Sequence, residues 1–297
     1  TAICYNFMPL LDWTRTDLAH PTVGGATCLR FSAPKMAAFE IHMLGRRAAE
    51  ADYPEAVLVE ARHWFEQSSE ADRALLLRSI MSGLPGAFDR YDIAGLRTAL
   101  AGYEGIGRTE LRQNFRRFLD EVIPAADELG IRFCVHPDDP PRDILGLPRI
   151  VSTAAAFDWL FAASASRANG LTLCSGSLGA HRDNDLPAMA RRFADRIHFA
   201  HLRNVAKSAD GSFQEASHLD GDTDMVALVA ALLAEEKRRR AAGRSDWEIP
   251  FRPDHGHEFP ADQGRGYVVG YPLVGRLRGL AEVRGIIRAL SHPAVAA

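Results

Sequence analysis

Four groups able to bind a metal or move a proton stand at the ends of short apolar runs. His136 closes ArgPheCysValHis, Cys174 closes LeuThrLeuCys, His201 closes IleHisPheAlaHis, and Asp254 with His255 follows IleProPheArgPro. Imidazole, thiolate and carboxylate supply the N, S and O donors of a divalent transition-metal site. One His at a strand end is ordinarily a hydrogen-bonded cap, and one free Cys there a small buried filler. Four such groups, each at the same position on its own run, are hard to explain as packing. A thiolate argues against Mg2+ and Ca2+, which take oxygen shells, and is compatible with Fe2+, Zn2+, Co2+ or Mn2+. Structural zinc draws on closely spaced ligand pairs. These ligands lie tens of residues apart, which is how catalytic sites are assembled from separate strands. Nearby, Arg203 and Asn204 follow His201, and Arg15 lies in AspTrpThrArgThrAsp. An Arg fork suits a substrate carboxylate, so these three are expected to face substrate.

Such tips need strands to carry them. The pattern predicts strands at 2–9, 131–136, 171–174, 197–201 and 248–253, and a loop at 12–17. Residues 34–130 show helical spacing instead, as in Leu111, Phe115, Phe118, Leu119 and Val122, ending at Gly130. GlyLeuProGly (83–86) and GlyTyrGluGlyIleGly (102–107) break this helical insertion as turns. Helices are expected from an N-capping Ser152 to about 167, then at 185–195, 222–242 and 272–290, with HisLeuAspGlyAsp (218–222) as a further capping segment. Strands alternating with helices make βα units and a parallel sheet. Functional groups at the C-terminal ends of successive strands favour a (β/α)8 TIM barrel over a doubly wound sheet. Five strands are three short of closure. The chain also opens on Thr1 and passes straight into a strand-like run, so it is expected to begin in mid-fold, with the first three βα units lacking or the barrel open. Residues 1–297 are read as one barrel domain, strands four to eight.

Composition bounds the function. A chain of 297 residues, 47% hydrophobic, can bury a large core. A net charge of −3 gives no reason to expect nucleic acid or an anionic membrane as partner. No apolar run is long enough to span a bilayer, no signal peptide is evident, and four cysteines without a CxxC do not make a disulfide framework. A cytoplasmic enzyme, a homodimer on base rates, is the expectation. GluGluLysArgArgArg (235–240) reads as a solvated helix end. SerGlySerLeuGly (175–179) lacks the first Gly of a nucleophile elbow, and GlyArgGly (264–266) has neither the strand nor the spacing of a dinucleotide fingerprint.

Several blocks carry a family resemblance: CysTyrAsnPheMetPro with AspTrpThrArgThrAspLeu, ValHisProAspAspProPro, GlyLeuProArgIleValSerThr, ArgPheAlaAspArgIleHisPhe, HisLeuArgAsnVal, HisLeuAspGlyAsp and ArgProAspHisGlyHis. Together, from Tyr5 to about Leu290, they resemble mannonate dehydratase. The resemblance implies a xylose-isomerase-like (β/α)8 barrel, entered at its fourth strand. It implies loss of water from D-mannonate to give 2-keto-3-deoxy-D-gluconate, in glucuronate catabolism, with one Mn2+ or Fe2+. Carried over by position, it makes His136, Cys174, His201 and Asp254 the metal ligands and His255 an acid/base. Its tyrosine partner falls at Tyr271, although Val269 replaces the usual Pro and Tyr267 stands one turn earlier. The chemistry is coherent: a Lewis acid stabilises charge on the substrate carboxylate, a His takes the C2 proton, and an acid protonates the departing C3 hydroxyl. His255 is assigned the base. The alternatives are a metal-dependent sugar isomerase or hydrolase on the same barrel, or an inactive truncated fragment.

Overall fold

The computed structural model describes residues 1–83 and 91–293. Most of the expected GlyLeuProGly turn therefore lies outside the described residues. In chain order the strands are β1 (Ala2–Tyr5), β2 (Asp17–Pro21), β3 (Thr27–Phe31), β4 (Arg132–Val135), β5 (Asn169–Cys174), β6 (Ile197–His201), β7 (Asn204–Lys207), β8 (Phe213–Ala216) and β9 (Phe251–Arg252).

Five of them, β1-β4-β5-β6-β9, form one sheet whose every pairing is parallel. Spatial order equals chain order and never reverses. A doubly wound sheet needs a reversal, so that alternative is set aside. Crossovers that all progress in one direction, each right-handed, put the connecting helices on one face and leave the other concave. The curl is visible in the backbone: Cα atoms of β1 and β6 approach within 8 Å, whereas three flat strand spacings would separate them by about 14 Å. Among the described residues this is a curled half-barrel with open edges at β1 and β9, and a closed eight-stranded barrel is not formed by them.

The outer layer explains the apolar periodicity. Helix Arg108–Glu128 buries Leu111, Phe115, Leu119 and Ile123 at successive turns, packing with Val135, Leu171 and Leu173 of the sheet. It ends before Gly130, whose φ of 65° is open to glycine at little cost. Helices Ala154–Ala163, Leu186–Arg192, Met225–Ala241 and Leu273–Leu290 complete that core. Several expected boundaries move. Thr153, not Ser152, caps its helix, because Ser152 donates its hydroxyl to Asp138. Asp224, rather than a residue of 218–222, caps the helix that follows. The strand expected at 248–253 shrinks to two paired residues.

The helical insertion is corrected in two ways. Its last helix, Arg108–Glu128, belongs to the half-barrel as the crossover between β1 and β4. The earlier helices, Ala33–Ala38, Glu55–Gln67, Glu70–Ile80 and Ile93–Ala101, pack instead in a second core with Phe31, Val205 and Phe213. Those three side chains come from a second sheet, the antiparallel order β2-β3-β8-β7, which the sequence pattern does not predict. β7 begins at Asn204, with only two residues between it and the end of β6. The second sheet therefore grows directly out of the C-terminal edge of the first.

Candidate metal centre and catalytic cavity

The parallel register brings three tips together. Cys174 ends β5 and His201 ends β6, and the two are paired across the sheet. His136 follows β4 by one residue. One ligand atom from each of His136, Cys174 and His201 lies within 4.8 Å of the others. His136 Nδ1 donates to the Pro137 carbonyl at 2.7 Å, which turns Nε2 inward. His201 is 2% exposed and neither ring nitrogen has a hydrogen-bond partner. A buried imidazole with two orphaned nitrogens is costly unless something else binds one of them. Asp254 Oδ2 lies 3.7 Å from His201 Nδ1. Asp254 has a φ of 59°, a left-handed conformation rare for a residue with a Cβ and common where a site fixes the backbone. The donor set and the orphaned nitrogens fit one divalent ion.

Electrostatics prepare these ligands. Burial pushes the Cys174 thiol up, but Arg203 and His136 outweigh it and hold it well below its ordinary value, so the sulfur is a thiolate. Burial also raises Asp254, and His255, His201, Arg203 and Arg252 more than reverse that, keeping the carboxylate ionised. Burial lowers His136, while the neighbouring Cys174 sulfur and Asp254 raise it overall. For His201 burial dominates and the ring is held neutral, the form that ligates metals.

A cavity of about 800 Å3 opens on this edge, lined by His136, His201, Asp254, His255 and Tyr271 among others. A cavity of about 920 Å3 lies against Ala2, Arg132 and His198 near the strand starts, away from these tips, and contains none of the four expected ligands. His255 and Tyr271 meet edge-to-face with centroids 5.1 Å apart. Tyr271 follows Gly270, whose φ is 82° and whose added Cβ would sit 2.7 Å from Leu29; glycine thus lets the loop approach β3. Tyr267 also lines the cavity and is 42% exposed. Burial pushes the Tyr271 phenol up, so it keeps its proton at neutral pH. His255 Nδ1 lies 3.1 Å from Glu215 Oε1. Although burial raises Glu215, Arg203 and His255 bring it down to about 2, so it accepts and the proton sits on Nδ1. Nε2 of His255 is then the ring nitrogen not engaged by Glu215.

The three residues expected to face substrate divide. Arg203 lines the cavity but is a buried hub, with Nε donating to Asp254 at 3.0 Å, Nη1 to Glu215 at 2.7 Å and Nη2 to Asp139. Arg15 is fully buried and its fork is taken by Asp139 and Glu215. Asn204 is fully buried as well, donating to the His218 and Thr223 carbonyls and accepting from the Val205 and Thr223 N–H groups. Arg15 and Asn204 are thus internal ties rather than cavity-facing groups. The sequence reading missed Glu215, Asp139, Arg252 and Trp13. Asp139 was signalled by its place in the His136 block, and Arg252, 40% exposed at the cavity wall beside Asp254, by its place in the ArgProAspHis block. Nothing in PheGlnGluAla (213–216) singles out Glu215.

The family model described as D-mannonate dehydratase (UxuA) matches residues 1–296. Mannonate dehydratase 1 of Agrobacterium fabrum is 56% identical over 293 residues, which is 98% of this chain and 73% of that protein. Mannonate dehydratase of Rhizobium meliloti is 54% identical with the same coverage. The crystal structure of mannonate dehydratase from Streptococcus suis serotype 2 superposes with a TM-score of 0.64 at 32% identity, covering 97% of this chain and 64% of that one. The chain thus spans about three quarters of those curated relatives and just under two thirds of that solved structure. The isomerase and hydrolase readings are not favoured. Identity of this level across nearly the whole chain makes it a member of the D-mannonate dehydratase family of hydro-lyases.

Proposed function

We propose that this chain removes water from D-mannonate to give 2-keto-3-deoxy-D-gluconate, with Mn2+ or Fe2+ held by His136, Cys174, His201 and Asp254. The observation that carries the reading is the convergence of the first three ligands beside a cavity that also presents His255 and Tyr271. A bound divalent ion would act as a Lewis acid toward the substrate's carboxylate and neighbouring hydroxyl. The chain's own groups then move the protons. His255, with Nδ1 tied to Glu215, offers Nε2 to the proton on C2. Tyr271, kept protonated by burial, donates to the departing C3 hydroxyl. Arg203 holds Asp254 and Glu215 ionised and in place, acting through them. Arg252 is the cation most exposed to an anionic substrate.

The singly wound sheet supports an eight-stranded barrel for the natural enzyme, working as one domain. The four free cysteines suit a reducing cytoplasm, and no helix among the described residues is long and apolar enough to cross a membrane. A symmetric dimer is the commonest assembly. The decisive experiment strips the protein of metal, returns Mn2+ or Fe2+ with D-mannonate, and follows a 2-keto-3-deoxy acid. Product that depends on added metal and is lost in Cys174→Ser supports the reading. A folded, metal-loaded chain that forms none overturns it. The base is tested separately, because His255→Asn must abolish exchange of the C2 proton with solvent if His255 removes it.

A further inference from the structure

We propose that a second site, on the outer side of the loop bearing His136, binds a small phosphate-bearing anion. A cavity of about 310 Å3 lies between the start of helix Arg108–Glu128 and the start of helix Ala154–Ala163, at the lower end of small-molecule pockets. Four arginines line it, Arg108, Arg112, Arg142 and Arg149, with a single acidic residue, Asp143. Asp143 is engaged by Arg108 Nη2 through both oxygens at 2.7 and 2.8 Å.

The other three arginines have no ion-pair partner among the described residues. Arg149 decides the matter. It is 2% exposed, donates from Nη1 to the Pro9 carbonyl at 3.2 Å, and leaves Nε and Nη2 without partners. The buried carboxylate of Asp138 accepts instead from the Val151 N–H at 2.6 Å and the Ser152 hydroxyl at 2.7 Å. A buried cation lacking a paired anion is costly, so the arrangement favours an anion that enters from outside. Arg112 also has a buried, unpartnered Nε, with its guanidinium 5.3 Å over Trp159. Arg142 is held 5.3 Å over Tyr53. Stacking fixes both forks and leaves their N–H edges available. Thr153, at the same wall, caps a helix with no acidic residue in its first turn, so the positive helix end adds to the field.

Several guanidinium groups around one space match a doubly charged tetrahedral oxyanion better than a single carboxylate. The volume leaves room for an organic part beyond the phosphate. The test is calorimetric titration of the full chain, metal-loaded and chelator-treated, with inorganic phosphate and with glucose 6-phosphate, against sodium chloride of matched ionic strength. Saturable binding is expected, weakened about tenfold or more by Arg112→Gln and by Arg142→Gln, since each loses a charge-assisted hydrogen bond. Cys174→Ser should leave it unchanged, which separates this site from the metal centre. Tighter binding of the sugar phosphate would show that the organic part is held, and equal binding that phosphate alone is recognised. Binding no stronger than chloride, binding indifferent to both arginine variants, or binding lost in Cys174→Ser would each overturn the proposal.

Discussion

Glu215 does for His255 what burial does for Tyr271: it settles where one proton resides. An ionised carboxylate 3.1 Å from Nδ1 selects a single tautomer, and under the proposed mechanism the other tautomer would present a proton where the base is needed. Glu215→Gln should therefore lower turnover by roughly 10²- to 10⁴-fold, the range expected when a base loses its orienting carboxylate, with metal content by elemental analysis unchanged. The same residue shapes acid stability. Its value is about 2 in the fold against 4.5 in the unfolded chain, so its contribution is complete above pH 4.5 and is lost as pH falls toward 2. Acid unfolding followed by circular dichroism should be less steep in that window in Glu215→Gln.

At the scale of elements, the edge of β5 shows how closely backbone and ion network are fitted. Helix Ser175–Gly179 starts at Cys174, and a Cβ on Gly176 would lie 2.3 Å from Arg203 Nη1 and 2.4 Å from its guanidinium carbon. Arg203 is buried and bound on every arm, so it has nowhere to retreat. Gly176→Ala should cost on the order of 3 kcal/mol, as overpacking of a rigid site does, read as a lowered urea midpoint. The parallel strands and their tips were legible because each is a continuous apolar run ending in a polar group, a pattern that packing alone does not produce. β2 and β8 were not. AspLeuAlaHisPro and PheGlnGluAla are short, partly exposed and without polar–apolar alternation, and only pairing with each other's neighbours makes them strands. The roles expected of Arg15 and Asn204 failed for the same reason. Arg15 lies in the segment expected as a loop and adjoins β2, and Asn204 opens a strand the pattern did not predict, where internal partners satisfy them.

Across the whole molecule, the starts of the parallel strands set a second pH dependence, remote from the tips. His198 begins β6 nearly buried, Nε2 donates to the Arg167 carbonyl at 2.9 Å, and Nδ1 has no partner. Burial lowers it to about 4 from 6.5. A ring held neutral in the fold stabilises fully above pH 6.5, and that stability drains as pH falls toward 4, by about 3 kcal/mol. Thermal melts should drop across that interval, and His198→Gln, which keeps a donor and cannot protonate, should flatten the drop.

The antiparallel sheet joins chain segments nearly two hundred residues apart, since β3 pairs with β8 through Arg30–Gln214 and Phe31–Phe213. Glu215, the next residue along β8, reaches His255 only when that pairing exists. Contacts between such distant segments close late, because the entropy of the intervening loop opposes them until the rest is formed. Catalytic competence should then be among the last properties a refolding chain acquires. After dilution from denaturant, helical ellipticity should return first and lyase activity measurably later, with the lag absent for metal binding by the three tips of the parallel sheet alone.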